Sequence, residues 1–227
     1  SNWDVSNVTN MRSLFYNSKF FNSNISNWNI SNVTNMRTMF LNTSEFNQDI
    51  SNWNTSKVTN MEALFYGAKN FTYDLSKWDV SNVTNMKDMF AYAIKFNKDI
   101  SNWNTSNVTS MSCMFFDTKE FNQDISNWNI SNVINIEGML CYAIKFAQNI
   151  GKWDLSNIKE AIFMLDNTEA FENKYNDGNT LPSYINDIKE WFNNNRDKMR
   201  EIEIKEKYSN EIENFFLQVN NNKNREL

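Results

Sequence analysis

The sequence predicts an α/β fold: a repeat solenoid of seven 25-residue units, each a short strand plus a short helix, with an α-helical C-terminal cap. Three observations predict it. Trp3, Trp28, Trp53, Trp78, Trp103, Trp128 and Trp153 stand 25 residues apart. A strict period of this length marks an array in which each unit packs only on its neighbours. Val33, Met36, Met39, Phe40 and Thr43 share one face of a helix of about three turns. Before them, Trp28 and Ile30 alternate with Asn27, Asn29 and Ser31, the pattern of a strand with apolar side chains inward.

Each unit opens at the Trp-x-Ile strand. Ser31 and its equivalents stand where a helix N-cap belongs. A loop through Phe21, Phe46, Phe71, Phe96, Phe121, Phe146 and Phe171 returns the chain to the next strand. Apolar stripes at fixed spacing are interior, so Trp28, Trp53, Trp78, Trp103, Trp128, Phe46, Phe71, Phe96 and Phe121 are assigned to the core. An exposed Trp ladder that binds sugars would leave the interior to other columns, and none could fill it. Ile134, Ile136, Lys159, Glu160 and Ala161 depart from the pattern, as the last units of an array do. The solenoid therefore covers residues 1–175 and a helical cap or tail covers 176–227.

In that tail, Gly178 and Pro182 form a loop. One helix is expected from Ser183 to about Lys207, with Ile185, Ile188, Trp191 and Phe192 as its apolar stripe. A second is expected from Ser209 to Val219, with Ile212, Phe215, Phe216 and Val219 inward, before a frayed end. An amphipathic pair covers the open core of the last unit. The sharper alternative is a partner or dimer contact through these C-terminal helices.

The repeat resembles a known family. Residues 46–65 and 121–140 are its clearest copies, and they look like the repeat of BspA-like leucine-rich-repeat bacterial surface proteins, in the variant found in mycoplasma surface lipoproteins. The resemblance spans residues 1 to about 175. It implies a curved, leucine-rich-repeat-like solenoid on a secreted or membrane-anchored protein of adhesive type, with no catalytic residues to transfer.

Composition narrows the function. The chain has 227 residues, net charge -5, no His and 43 Asn. The acidic balance disfavours nucleic acid, which needs a basic stripe. No apolar run is long enough to span a membrane. No nucleophile elbow, phosphate loop or zinc spacing appears, so no catalytic, cofactor-binding or metal residue is assigned and no cofactor is expected. The Asp and Asn columns at Asp49, Asp74, Asp99 and Asp124 and at Asp79 and Asp154 read as turn residues that satisfy neighbouring amides. Calcium ladders of this kind need Gly-rich turns, and only four Gly occur. Cys113 and Cys141 lie in different columns, and sequence leaves their pairing open. The chain begins inside a unit, which reads as a fragment of a longer, membrane-anchored cell-surface protein with its export signal upstream.

Two surfaces are candidates for binding. Asn27, Asn52, Lys77 and Asn102, beside Asn29, Asn54, Asp79 and Asn104, form a polar lattice suited to an extended glycan or strand-like peptide, or simply a self-consistent ladder. Tyr66, Tyr73, Tyr92 and Phe116, with Tyr16 and Tyr142, sit in variable columns and would serve as aromatic anchors. The expected role is a non-enzymatic scaffold that binds protein or glycan on a host cell or matrix. The alternative is a structural spacer that holds another domain away from the cell surface.

Overall fold

The computed structural model describes residues 3–223, with side chains to Gln218 except Phe216. The side chains of Phe216 and Val219, expected inward, lie outside the described residues.

The chain does fold into stacked 25-residue units, but the expected α/β solenoid of seven strand-plus-helix units is not what forms. Among the described residues there are two α-helices, α1 (Glu169–Tyr175) and α2 (Ile185–Lys223), both at the C-terminal end. Sheet pairing is confined to isolated parallel bridges, Asn10 to Asn35, Asn35 to Asn60 and onward to Glu160. Up to Thr168 the backbone is a succession of tight turns.

Hydrogen bonding explains both corrections. In the stretch read as a helix, the N–H groups of Met36, Thr38, Phe40 and Asn42 donate to the carbonyls of Asn60, Glu62, Leu64 and Tyr66 in the next unit, at 2.7–3.0 Å. The N–H groups of Met39, Leu41 and Thr43 between them close three-residue turns onto Met36, Thr38 and Phe40. No donor remains for the i−4 carbonyl that a helix requires. Thr38 and Asn42 have φ of 54° and 56°, which a right-handed helix excludes. In the stretch read as a strand, Trp28 N–H donates to Ile25 and Val33 N–H to Ile30, while Ser31 N–H donates to the Asn29 side chain. Those amides are spent within the unit, so no ladder can form.

The core is a set of ring stacks running from unit to unit. Phe15, Phe40, Phe65, Phe90 and Phe115 stack at 5.6–5.7 Å between centroids. Phe21, Phe46, Phe71, Phe96, Phe121, Phe146 and Phe171 stack at 5.9–6.4 Å. Trp28, Trp53, Trp78, Trp103 and Trp128 are buried beside them. The Nε1–H groups of Trp53, Trp78, Trp103, Trp128 and Trp153 donate to the carbonyls of Ile25, Ile50, Leu75, Ile100 and Ile125 at 3.0–3.3 Å. That is why the column holds Trp: it fills the core and binds a carbonyl of the preceding unit at once.

α2 covers the last unit with its first half. Ile188, Phe192 and Met199 are buried, and Trp191 Nε1–H donates to Asn176 at 3.0 Å. Gly151 stands in a column occupied by Ser26, Ser51, Ser76, Ser101 and Ser126. A Cβ there would lie 3.3 Å from Met199 Sδ, so glycine allows α2 to settle closely on this unit. The two expected tail helices are one, running unbroken through Ser209. Ile212 and Phe215, expected inward, are exposed, because the helix extends past the body it caps.

Candidate functional site

The polar lattice is exposed at every named position: Asn27, Asn29, Asn52, Asn54, Lys77, Asp79, Asn102 and Asn104. Its acceptors are largely committed. Asn29, Asn54, Asp79 and Asn104 each accept the N–H of the serine two residues on, at 2.9–3.2 Å. Asn102 Nδ2 donates to the Ser76 carbonyl at 2.9 Å. The hydrogen bonds from Ser81 hold the Asp79 carboxyl below the usual carboxylate range. A shallow hollow of about 300 Å³ lies among Ser51, Asn52, Asn54, Lys77 and Asp79. The side-chain oxygens of Asn29, Asn54, Asp79 and Asn104 keep the turns of this face in shape.

The aromatic positions behave differently. Tyr66, Tyr92, Phe116 and Tyr142 touch in sequence across four units, with centroids 5.2, 5.3 and 5.7 Å apart and planes inclined by 59°, 57° and 71°. They are not the parallel stacks of the core. Tyr66, Tyr92 and Phe116 are half-buried and Tyr142 is 44% exposed. Tyr92 and Tyr142 sit at φ of 59°, in a column that also holds Asn17, Asn42 and Asn167. The left-handed backbone turns each ring outward onto its neighbour, although φ above zero is uncommon for bulky residues. Tyr73 and Tyr16 are also exposed but lie outside this row of ring contacts.

A cleft of about 210 Å³ opens along the ridge, lined by Tyr66, Asp88, Ala91, Tyr92, Cys113 and Phe116. Burial raises the Asp88 carboxyl above its ordinary value, with Lys87 opposing and Glu62 adding to the shift. Burial raises the Tyr66 phenol too, helped by Tyr92 and Asp88. Cys113 is a free thiol pushed up to about 11, by burial first and then by Asp88 and Glu137. Cys141 is also free and is pushed to about 12 by burial and then Asp166. Such thiols carry almost no thiolate at neutral pH and are weak nucleophiles. Among the described residues, no three His, Cys, Asp or Glu side chains are placed to hold a metal ion. The cleft is smaller than the pockets of ~300–1,000 Å³ that enclose small ligands. It suits a surface contact in which rings cover part of a larger partner.

Sequence reading named Tyr66, Tyr92, Phe116 and Tyr142 but missed that they touch, and missed Asp88 and Cys113. A signal existed. Asp88 and Cys113 share the column Ser13, Thr38, Ala63, Asp88, Cys113, Gly138 and Phe163, which changes in every unit while the columns of Trp28, Ser31 and Phe46 hold one residue type.

The geometry defines a tandem-repeat protein built of turns, with an aromatic flank only partly covered. A family described as mycoplasma protein of unknown function, DUF285, matches residues 1–102 and again 72–178, and the chain belongs to it. The match ends between α1 and α2. Neither a curated protein nor a solved structure matches the chain. Among the described residues, no helix is long and apolar enough to cross a membrane.

Proposed function

We propose that this chain is a non-enzymatic module of a mycoplasma surface protein, akin in role to BspA-like surface proteins, that binds a protein or glycan on a host cell or matrix. The aromatic ridge carries the reading. Rings that are rigid, partly exposed and contiguous over four units are the side chains that dominate contact energy. The same reading gives the exposed Tyr208 and Ile212 on the distal part of α2 to a partner or a second copy of the chain.

The test compares retention of host-cell and matrix components by the wild-type chain and by the double substitution Tyr92→Asn, Phe116→Asn. Asn tolerates the backbone at position 92. A loss of about two hot-spot side chains weakens retention at least ~30-fold. Equal retention by both proteins removes the ridge from the function. No retention by either leaves the spacer reading, which the near-uniform repeat columns also favour.

A further inference from the structure

A cavity lies away from the ridge, where α2 crosses the seventh unit. It measures about 540 Å³ and is lined by Asn149, Gly151, Lys152, Arg196, Asp197, Arg200, Glu203, Ile204 and Lys207. Arg196, Arg200, Glu203 and Lys207 follow one another at intervals of four, three and four, so one face of α2 supplies them. Lys152 faces them from the array.

Four cations and two carboxylates meet there, in a chain whose net charge is -5. The ion pairs among the described residues leave all six out: they join Arg37–Glu62, Lys119–Asp117, Lys145–Glu120, Lys174–Glu206 and Lys198–Asp177. Glu203 accepts from Asn149 Nδ2, another lining residue, at 3.1 Å. Arg196 is held by one bond, Nη2 to the Trp153 carbonyl at 3.1 Å, while its Nε is buried with no partner. A buried guanidinium donor without an acceptor is costly, and native structures rarely leave one so.

We propose that this junction binds a dianionic oxyanion, a phosphate or sulfate ester carried by a small molecule or a headgroup. The excess of two positive charges matches a dianion and would be half-met by a carboxylate. Arginine forks suit tetrahedral oxyanions, and Lys152 and Lys207 add compact charges at the rim. The volume exceeds a bare ion and falls in the range of small-ligand pockets. A bound ester would also tie α2 to the seventh unit, because its ligands come from both.

Calorimetric titration of the whole chain at low ionic strength with inorganic phosphate, then inorganic sulfate, tests this. One saturable site is expected for at least one of them. Lys152→Gln with Arg200→Gln should weaken it at least tenfold with an unchanged melting temperature. Lys95→Gln with Lys98→Gln, remote from the junction, should leave it within twofold. Phosphatidylcholine vesicles with and without phosphatidic acid separate the sources. Binding only to the acidic vesicles, competed by phosphate, assigns a headgroup; binding to phosphate but not vesicles assigns a soluble ester. No saturable binding, or equal weakening by the remote pair, overturns the proposal.

Discussion

Asparagine and aspartate hold the backbone of this chain residue by residue. Asn54 and Asp74, like their equivalents, each accept an N–H two residues ahead, and Asn60 does the same for Glu62. Asn82, Asn107, Asn132 and Asn157 instead donate to serine carbonyls one unit back, at 2.7 Å. A chain with so few glycines makes its turns this way. Asp88 is the exception, a carboxylate in a left-handed position (φ 57°) whose burial raises its pKa. Between its ordinary and raised values the native state binds more protons than the unfolded state. Stability therefore falls as pH climbs through that window, and above it the fold bears the cost of a buried charge. Asp88→Asn removes the charge and keeps a residue that accepts this backbone. It should melt above the wild type at pH 7, with the advantage gone near pH ~3, where the wild-type carboxyl is protonated in both states. An unchanged or lower melting point at pH 7 would contradict this. The turn role of the Asp and Asn columns was legible from their residue type and phase. The left-handed positions were not, because Thr38, Ala63, Cys113 and Phe163 carry no local mark of such a backbone.

At the level of the element, the period was plain and the conformation was hidden. Three-residue turns closing from Met36 to Thr43 bring apolar side chains to one side at the same three- and four-residue steps as a helix. Spacing alone cannot separate the two. What decides is where alternate amides go, and the next unit offers them carbonyls at the right height. The C-terminal helix was misread for a related reason. No break occurs near Ser209, and α2 needs no second partner to continue along Glu201–Lys207 and beyond. Far-UV circular dichroism discriminates sharply here. α1 and α2 contain 7 and 39 residues, together 46 of 227. Helix content should be near one fifth. A three-turn helix in every unit would add roughly ten residues seven times over, and a measured content near one half would restore that architecture.

For the whole molecule, stability depends on many weak, repeated hydrogen bonds as well as on the aromatic core, and acid should expose that dependence. Asp4, Asp49, Asp79, Asp99 and Asp154 are each held below the ordinary carboxylate value by hydrogen bonds from the serine two residues on. A depressed folded pKa means that the unfolded chain takes up protons first. Its contribution is present above the unfolded value and is lost as pH falls through the folded one. Asp88 and Glu172, raised chiefly by burial, act in the opposite sense, and they are outnumbered. The melting temperature should therefore be nearly flat from pH 7 to pH 5 and decline below about pH 4, the ordinary carboxylate range. The five carboxylates are exposed, so salt and solvent keep each contribution small and the decline gradual. Asn already occupies the same columns at Asn24, Asn29, Asn54, Asn104, Asn129 and Asn149. Replacing the five aspartates by Asn keeps the acceptor of every turn and removes its titration. That variant should fold, melt slightly below the wild type near neutrality and lose most of the acid decline. If it declines in parallel with the wild type, the acid sensitivity lies outside the turn ladder.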